Sequence, residues 1–191
     1  MLLVHRVPAS MDQAVNFFDA ITNGNFEITK STLNNWTCVL SDKLDPLISK
    51  IKQGLFNSYY VNTDESPINV NGKNHQIHSY SNEKYTLQYA HEKKSKSAII
   101  ELGFLPNYVG TLIHDHNTVQ YNWGTKHGEC NAHILRYLKA AKEFTKHKWS
   151  LEMADLLKEI LHCKHSLLLE NVSNFSKAKL DSYSQKYDDI L

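Results

Sequence analysis

The dipeptide Asn71-Gly72 constrains this chain most, because segments that alternate every second residue flank it on both sides. Two successive residues that tolerate positive φ are what a two-residue hairpin turn demands. The outgoing strand runs from Tyr59-Tyr60-Val61-Asn62-Thr63-Asp64 into Ile68-Asn69-Val70, and the returning strand covers His75 to Tyr80. A polar turn at Ser81-Asn82-Glu83 then leads into a third strand, Tyr85 to Tyr89. The expectation is a three-stranded antiparallel meander.

The flanks read as helix. Ser10 is placed to cap a helix through Val15, Phe17, Phe18 and Ile21, closed by Asn23-Gly24. Ile28 to Trp36 reads as a short turn leading into a second helix, and Asp45-Pro46 opens a third carrying Leu47, Ile48, Ile51 and Leu55. Such short helices suit a helix-turn-helix or a packing layer, and packing is the simpler reading. Beyond the meander come a helix from Ser95 to Leu105, a strand from Gly110 to His114 that stops at Asp115, and a last strand near His127 to Cys130. Asn131 is expected to cap an amphipathic helix with Ile134, Tyr137, Leu138, Ala141 and Phe144 on one stripe. From Trp149 onward the pattern is helical: Ser150 to Cys163, Leu167 to Val172, and a polar run to Leu191.

Three strands followed by helix, strand, helix, strand, helix is the order of a ribonuclease-H-like core. The fold class expected is therefore α/β (α+β), a mixed five-stranded sheet with flanking helices. Three regions are expected: a helical N-terminal region over 1–56, the core over 57–147, and the start of a helical insertion over 148–191.

A chain of 191 residues is long enough for one ordinary domain with a helical appendage. No apolar run approaches bilayer length, and Met1 to Arg6 lacks the apolar stretch of a secretory signal, so no membrane partner is expected. The 3 cysteines are odd in number and widely spaced, which points to a reducing, cytoplasmic setting. A net charge of +1 decides nothing about nucleic acid, but the bases gather locally. Lys126, Arg136, Lys139, Lys142, Lys146 and Lys148 face only Glu129 and Glu143 in that stretch. On charge alone a solvated helix face is the default reading.

Two aspartates stand where this architecture places chemistry. Asp64 interrupts a β-prone run in the first strand and Asp115 ends the fourth, and in the expected sheet those strands are neighbours. Paired carboxylates supply the hard oxygen ligands that Mg²⁺ or Mn²⁺ takes, and such ions clamp the attacking and leaving oxygens of a phosphodiester. Around Asp115 lie His114, His116, His127 and His133, with Cys130 three residues before His133. That Cys-x-x-His pair has no second pair at zinc-finger spacing, so a structural or phosphate-contacting His133 is preferred over a zinc ligand.

These residues resemble the insertion-sequence-sixty-six transposases. The first acidic motif of that family is similar to Thr63-Asp64-Glu65-Ser66-Pro67 followed by Ile68 to Gly72. The second matches Leu112-Ile113-His114-Asp115-His116 with Tyr121 and Trp123 after it. The third, the most specific, is Cys130-Asn131-Ala132-His133-Ile134-Leu135-Arg136-Tyr137-Leu138, followed by Trp149 and Met153 to Leu157. Upstream, Ile28 to Trp36 resembles a further family stretch. The resemblance covers nearly the whole chain with its motifs in order. It implies metal-dependent DNA cleavage and strand transfer, with Mg²⁺ or Mn²⁺ on Asp64 and Asp115. It also implies phosphate contacts from His133, Arg136 and Lys126, and transposon ends and target DNA as partners.

Two departures shape the expectation. The family's glutamate, in an Asn-Asn-x-x-Glu-Arg context, has no counterpart here, and neither has its N-terminal cysteine-rich segment. The chain is expected to be a catalytic-region fragment that is inactive alone, associated with the nucleoid and able to assemble with itself or with full-length transposase. The rival reading is a non-catalytic regulatory fragment that binds DNA or transposase. A zinc-dependent hydrolase built from His114, His116, His127, Cys130 and His133 stands third.

Overall fold

Ser10 starts the first helix as expected: its hydroxyl accepts from the Gln13 amide while the Gln13 side chain accepts from the Ser10 amide. The computed structural model describes residues 9–145 and 148–191. Positions 1–8 of the expected N-terminal region, and Lys146 of the basic run, lie outside the described residues. Helix α1 spans Met11–Thr22 and ends with Asn23 in the left-handed conformation.

Helix α2 runs unbroken from Lys30 to Phe56, with Thr29 as its cap and Pro46 in its interior. The expected turn before Trp36 and the expected helix start at Asp45-Pro46 are both corrected. Leu33, Trp36, Leu40, Leu44, Leu47, Ile51 and Leu55 keep helical spacing through the proline, and the helix is anchored where its ends are buried, at Leu33 and Leu55. Residues 38–50 are all exposed, so the carbonyl that Pro46 leaves without a donor can be solvated. At one end Leu33 packs with Ala14 and Ile28; at the other Leu55 enters the core under the sheet.

The sheet has five strands in the order β3-β2-β1-β4-β5: β1 Tyr60–Val70, β2 Lys73–Ser81, β3 Thr86–His91, β4 Thr111–His114 and β5 Lys126–Glu129. The β1–β2 and β2–β3 pairs are antiparallel, whereas β4 runs parallel to both β1 and β5. This is the mixed five-stranded sheet expected, and its order is consistent with a ribonuclease-H-like arrangement. The hairpin turn is the one Asn71-Gly72 called for, both residues taking positive φ (52° and 78°) between the paired Val70 and Lys73. Pro67 lies past the end of the β4 ladder, where β1 has a free edge that tolerates a residue without an N–H.

Val61 and Thr63 alternate inward on β1 and share their face with Leu112, Tyr80 and Leu87. Against that face pack Leu55, the short helix α3 (Lys96–Leu102), and Phe104, Leu105 and Tyr108. Phe104 stacks on Tyr80 and on Phe56 at centroid distances of 4.6 and 4.7 Å. Gly103, left-handed at φ 68°, ends α3 before Leu105, and a single 3₁₀ turn follows, so the helix expected to reach Leu105 is shorter.

Three more helices follow β5: α4 Asn131–Thr145, α5 Lys148–Leu169 and α6 Lys177–Ile190. They share their own apolar cluster around Leu138, Met153, Leu156 and Tyr183. The expected pieces Ser150 to Cys163 and Leu167 to Val172 merge into α5, with the turn displaced to Asn171. Asn131 is the first helical residue rather than the cap. The Cys130 carbonyl accepts from the amides of His133 and Ile134, because β5 passes into α4 without a loop.

Candidate active site

Strand pairing sets the two aspartates at matching positions beyond neighbouring strands. The parallel β1–β4 ladder ends with Asn62 opposite Ile113, and Asp64 and Asp115 each stand two residues further along. Along β1 the burial alternates, Val61 and Thr63 in, Asn62 and Asp64 out, so Asp64 lies on the exposed face. Asp115 is half-buried, and His116 after it takes a left-handed φ of 53°, which turns the chain away from the sheet. On the far side the turn is tied to β5, where the Cys130 amide donates to the His114 carbonyl at 2.7 Å.

Glu65, next to Asp64, points the other way, and its side chain is only 5% exposed. One carboxylate oxygen accepts from Gln120 Nε2 at 3.1 Å and lies 3.4 Å from His78 Nδ1. The other accepts from Asn117 Nδ2 at 3.1 Å and pairs with Lys94 Nζ at 2.9 Å. Burial pushes the Glu65 pKa up, but the His78 and Lys94 contacts outweigh it and hold the carboxyl below its ordinary value. His78 is raised, chiefly by Glu65. Its Nε2 faces the Lys93 carbonyl at 3.2 Å, so both ring nitrogens face acceptors, as an imidazolium requires. Lys94 is raised by Glu65 first, with smaller contributions from the charges of Asp115 and Asp64. One lysine therefore feels all three carboxylates.

The histidines expected near Asp115 divide. His114 is fully buried at the end of β4, its Nε2 3.1 Å from His127 Nδ1 and its Nδ1 without a partner. Burial above all lowers its pKa. His116 Nδ1 lies 3.1 Å from Glu129 Oε1, which also accepts from the Tyr121 hydroxyl. Among the described residues no three His, Cys, Asp or Glu side chains gather to hold a metal ion. The zinc centre weighed for His114, His116, His127, Cys130 and His133 is not formed among the described residues: His114 and His127 face each other and Tyr121, and His116 faces Glu129.

The remaining residues expected at the site are dispersed over β5 and α4. Lys126 is exposed at the start of β5 and His133 half-buried in the first turn of α4. Arg136, exposed one turn further on, uses its Nε on the Ala132 carbonyl. It lines a cleft of about 400 Å³ between α4 and α5 with Lys139, Lys142 and Lys158 over a floor that includes Leu138 and Ala154. Among the described residues no carboxylate lines that cleft.

The family model described as Transposase IS66 family matches residues 17–190. The chain belongs to the IS66 transposase family. No curated protein and no solved structure matches it. Membership supports a transposase role and suggests use of a divalent metal ion. The two aspartates suit that ion chemically. Mg²⁺ keeps several waters and takes one or two carboxylates besides substrate phosphate, so two aspartates are a chemically apt but sparse protein share. No helix among the described residues is long and apolar enough to cross a membrane.

Glu65, His78, Lys94, Asn117 and Gln120 were not singled out from the sequence of this IS66-family chain. Glu65 lies inside the acidic motif, yet its partners are 13, 52 and 55 residues away through His78, Asn117 and Gln120. The one signal available was a glutamate at an inward position of an alternating strand, where a charge demands compensation.

Proposed function

We propose that this chain carries part of the catalytic region of a DNA transposase, in which Asp64 and Asp115 hold Mg²⁺ or Mn²⁺ for DNA cleavage and strand transfer. The observation that carries the reading is their equal step beyond the last paired residues of β1 and β4. When bound, the metal supplies Lewis-acid stabilisation to the oxygens of the phosphodiester under attack. The protein's own share is to present two hard carboxylate ligands. Lys94 supplies the positive charge that both aspartates feel. Arg136, with Lys139, Lys142 and Lys158 in its cleft, offers cations to the DNA backbone, and Lys126 and His133 extend that surface toward β5.

With no third carboxylate joining the pair among the described residues, the chain by itself binds metal weakly and turns over poorly. That same observation favours a second reading, a regulatory chain that binds DNA or transposase without catalysis. Regions 1–56, 57–147 and 148–191 serve in the first reading as N-terminal helical region, catalytic core and helical insertion.

Calorimetric titration with Mn²⁺ tests the reading, comparing the parent with Asp64→Ala and Asp115→Ala. Binding in the parent that disappears in both variants supports one shared site. Binding that survives either substitution removes the pair as the metal site and leaves the regulatory reading.

A further inference from the structure

The β1–β4 ladder stops at Asn62 and Ile113, before either aspartate. Beyond that point something other than strand pairing must hold the Asp115 turn against β1. On the β5 side it is the Cys130 amide on the His114 carbonyl. On the β1 side it is Glu65, which takes one donor from Asn117 and one from Gln120, both in the segment that follows Asp115. Asn117 is itself built into the turn, its Oδ1 accepting from the Val119 amide at 3.1 Å. A nearly buried carboxylate is costly unless its lone pairs are met, and here each oxygen faces two donor groups.

We infer that Glu65 is a positioning residue for the aspartate pair, locking the turn that carries Asp115 onto the strand that carries Asp64. This rests on the reading of Asp64 and Asp115 as metal-binding acids. Glu65 is not itself a third metal acid. Both its oxygens are occupied, and Lys94 and the His78 imidazolium place positive charge where a cation would have to approach. A glutamine in its place offers one acceptor oxygen instead of two and turns its NH2 toward either Gln120 and His78 or Asn117 and Lys94, so the charge and not only the shape is needed.

The experiment measures Mn²⁺ affinity by calorimetry and the thermal midpoint in parallel. The variants are Glu65→Gln, Asn117→Ala and Gln120→Ala, with Gly72→Ala at the distant hairpin tip as a control that perturbs stability alone. The side-chain amide NMR signals of Asn117 and Gln120 report whether the turn stays docked. Loss of an outer partner typically weakens metal binding by about tenfold to a hundredfold, and that is the loss expected in all three variants, with the amide signals shifted in Glu65→Gln. The control is expected to keep the parent's affinity. A merely structural Glu65 would behave like the control, with a lower midpoint and unchanged affinity, and that result overturns the inference. Should Glu65→Gln fail to fold, Asn117→Ala and Gln120→Ala decide alone, since they leave the His78 and Lys94 contacts in place. If Asp64→Ala and Asp115→Ala leave Mn²⁺ binding as it was, or the parent shows none, the metal-site reading falls and this inference with it. If the aspartates matter and the three variants do not, only the positioning role is lost.

Discussion

The Glu65 carboxylate lies 3.4 Å from Nδ1 of His78, with side-chain exposures of 5% and 1%. Such a pair is stabilising only while both members are charged. Glu65 is lowered, so its contribution is present above the ordinary carboxyl pKa and is lost as pH falls through the lowered value. His78 is raised, so its contribution is complete below the ordinary imidazole pKa and is lost as pH rises through the raised value. Stability is expected to be greatest between those limits. Urea unfolding across that range checks it. In His78→Gln the loss on the alkaline side should vanish, and an unchanged alkaline slope would show that His78 is not charged in the fold.

Pro46 sits inside a continuous helix and removes one intrahelical hydrogen bond. Replacing it with alanine should stabilise the protein by about 1–3 kcal/mol, since proline costs about 3 kcal/mol in a helix interior and solvation recovers part of that. Chemical denaturation of Pro46→Ala reads this directly. No gain, or a loss, would mean that α2 is interrupted at that point.

Gly72 has open space around the position of a Cβ, so substitution there is purely a backbone matter. At φ 78°, Gly72→Ala should cost about 1 kcal/mol through left-handed strain. A Gly72→Ala protein as stable as the parent would argue for a different turn.

Phe104 is fully buried between Tyr80 and Phe56 and anchors the cluster under the sheet. Phe104→Ala should cost about 3–5 kcal/mol, a large part of the whole stability of a domain of this kind. A melting temperature close to the parent's would place the core elsewhere.

The cleft between α4 and α5 makes a prediction about salt. If Arg136 and Lys139 neutralise phosphates of a random-sequence DNA duplex, each change to glutamine should lower the slope of log affinity against log salt by about 1. Lys177→Gln, outside the cleft lining, serves as the comparison. Equal slopes for all three variants would return the basic run to a solvated helix face.

The parts of this fold that were readable in advance were set by local chemistry. Asn71-Gly72 announced its hairpin, Ser10 its helix, and the order of strands the neighbourhood of β1 and β4. Two kinds of feature escaped. Pro46 is a strong local signal, yet the helix runs through it between two buried ends, so a helix start was expected where none exists. Glu65 is the opposite case, marked locally only by its inward place on an alternating strand, while its partners Asn117 and Gln120 belong to a turn more than fifty positions away. The matching register of Asp64 and Asp115 followed from the strand order, whereas the Glu65 contacts to the turn after Asp115 did not. The expected zinc alternative failed for a related reason, since spacing in the chain does not reveal that His114 and His127 turn to each other.

Helix α2 has a mechanical consequence. At 27 residues it is about 40 Å long, and its two ends are gripped by different apolar clusters, Leu33 among α1 residues and Leu55 beneath the sheet. A helix clamped at both ends is a ruler rather than a tether. Whatever α1 engages is held at a set reach from the strand that bears Asp64, and lengthening or shortening α2 would change that reach in steps of one helical rise while also rotating one end against the other.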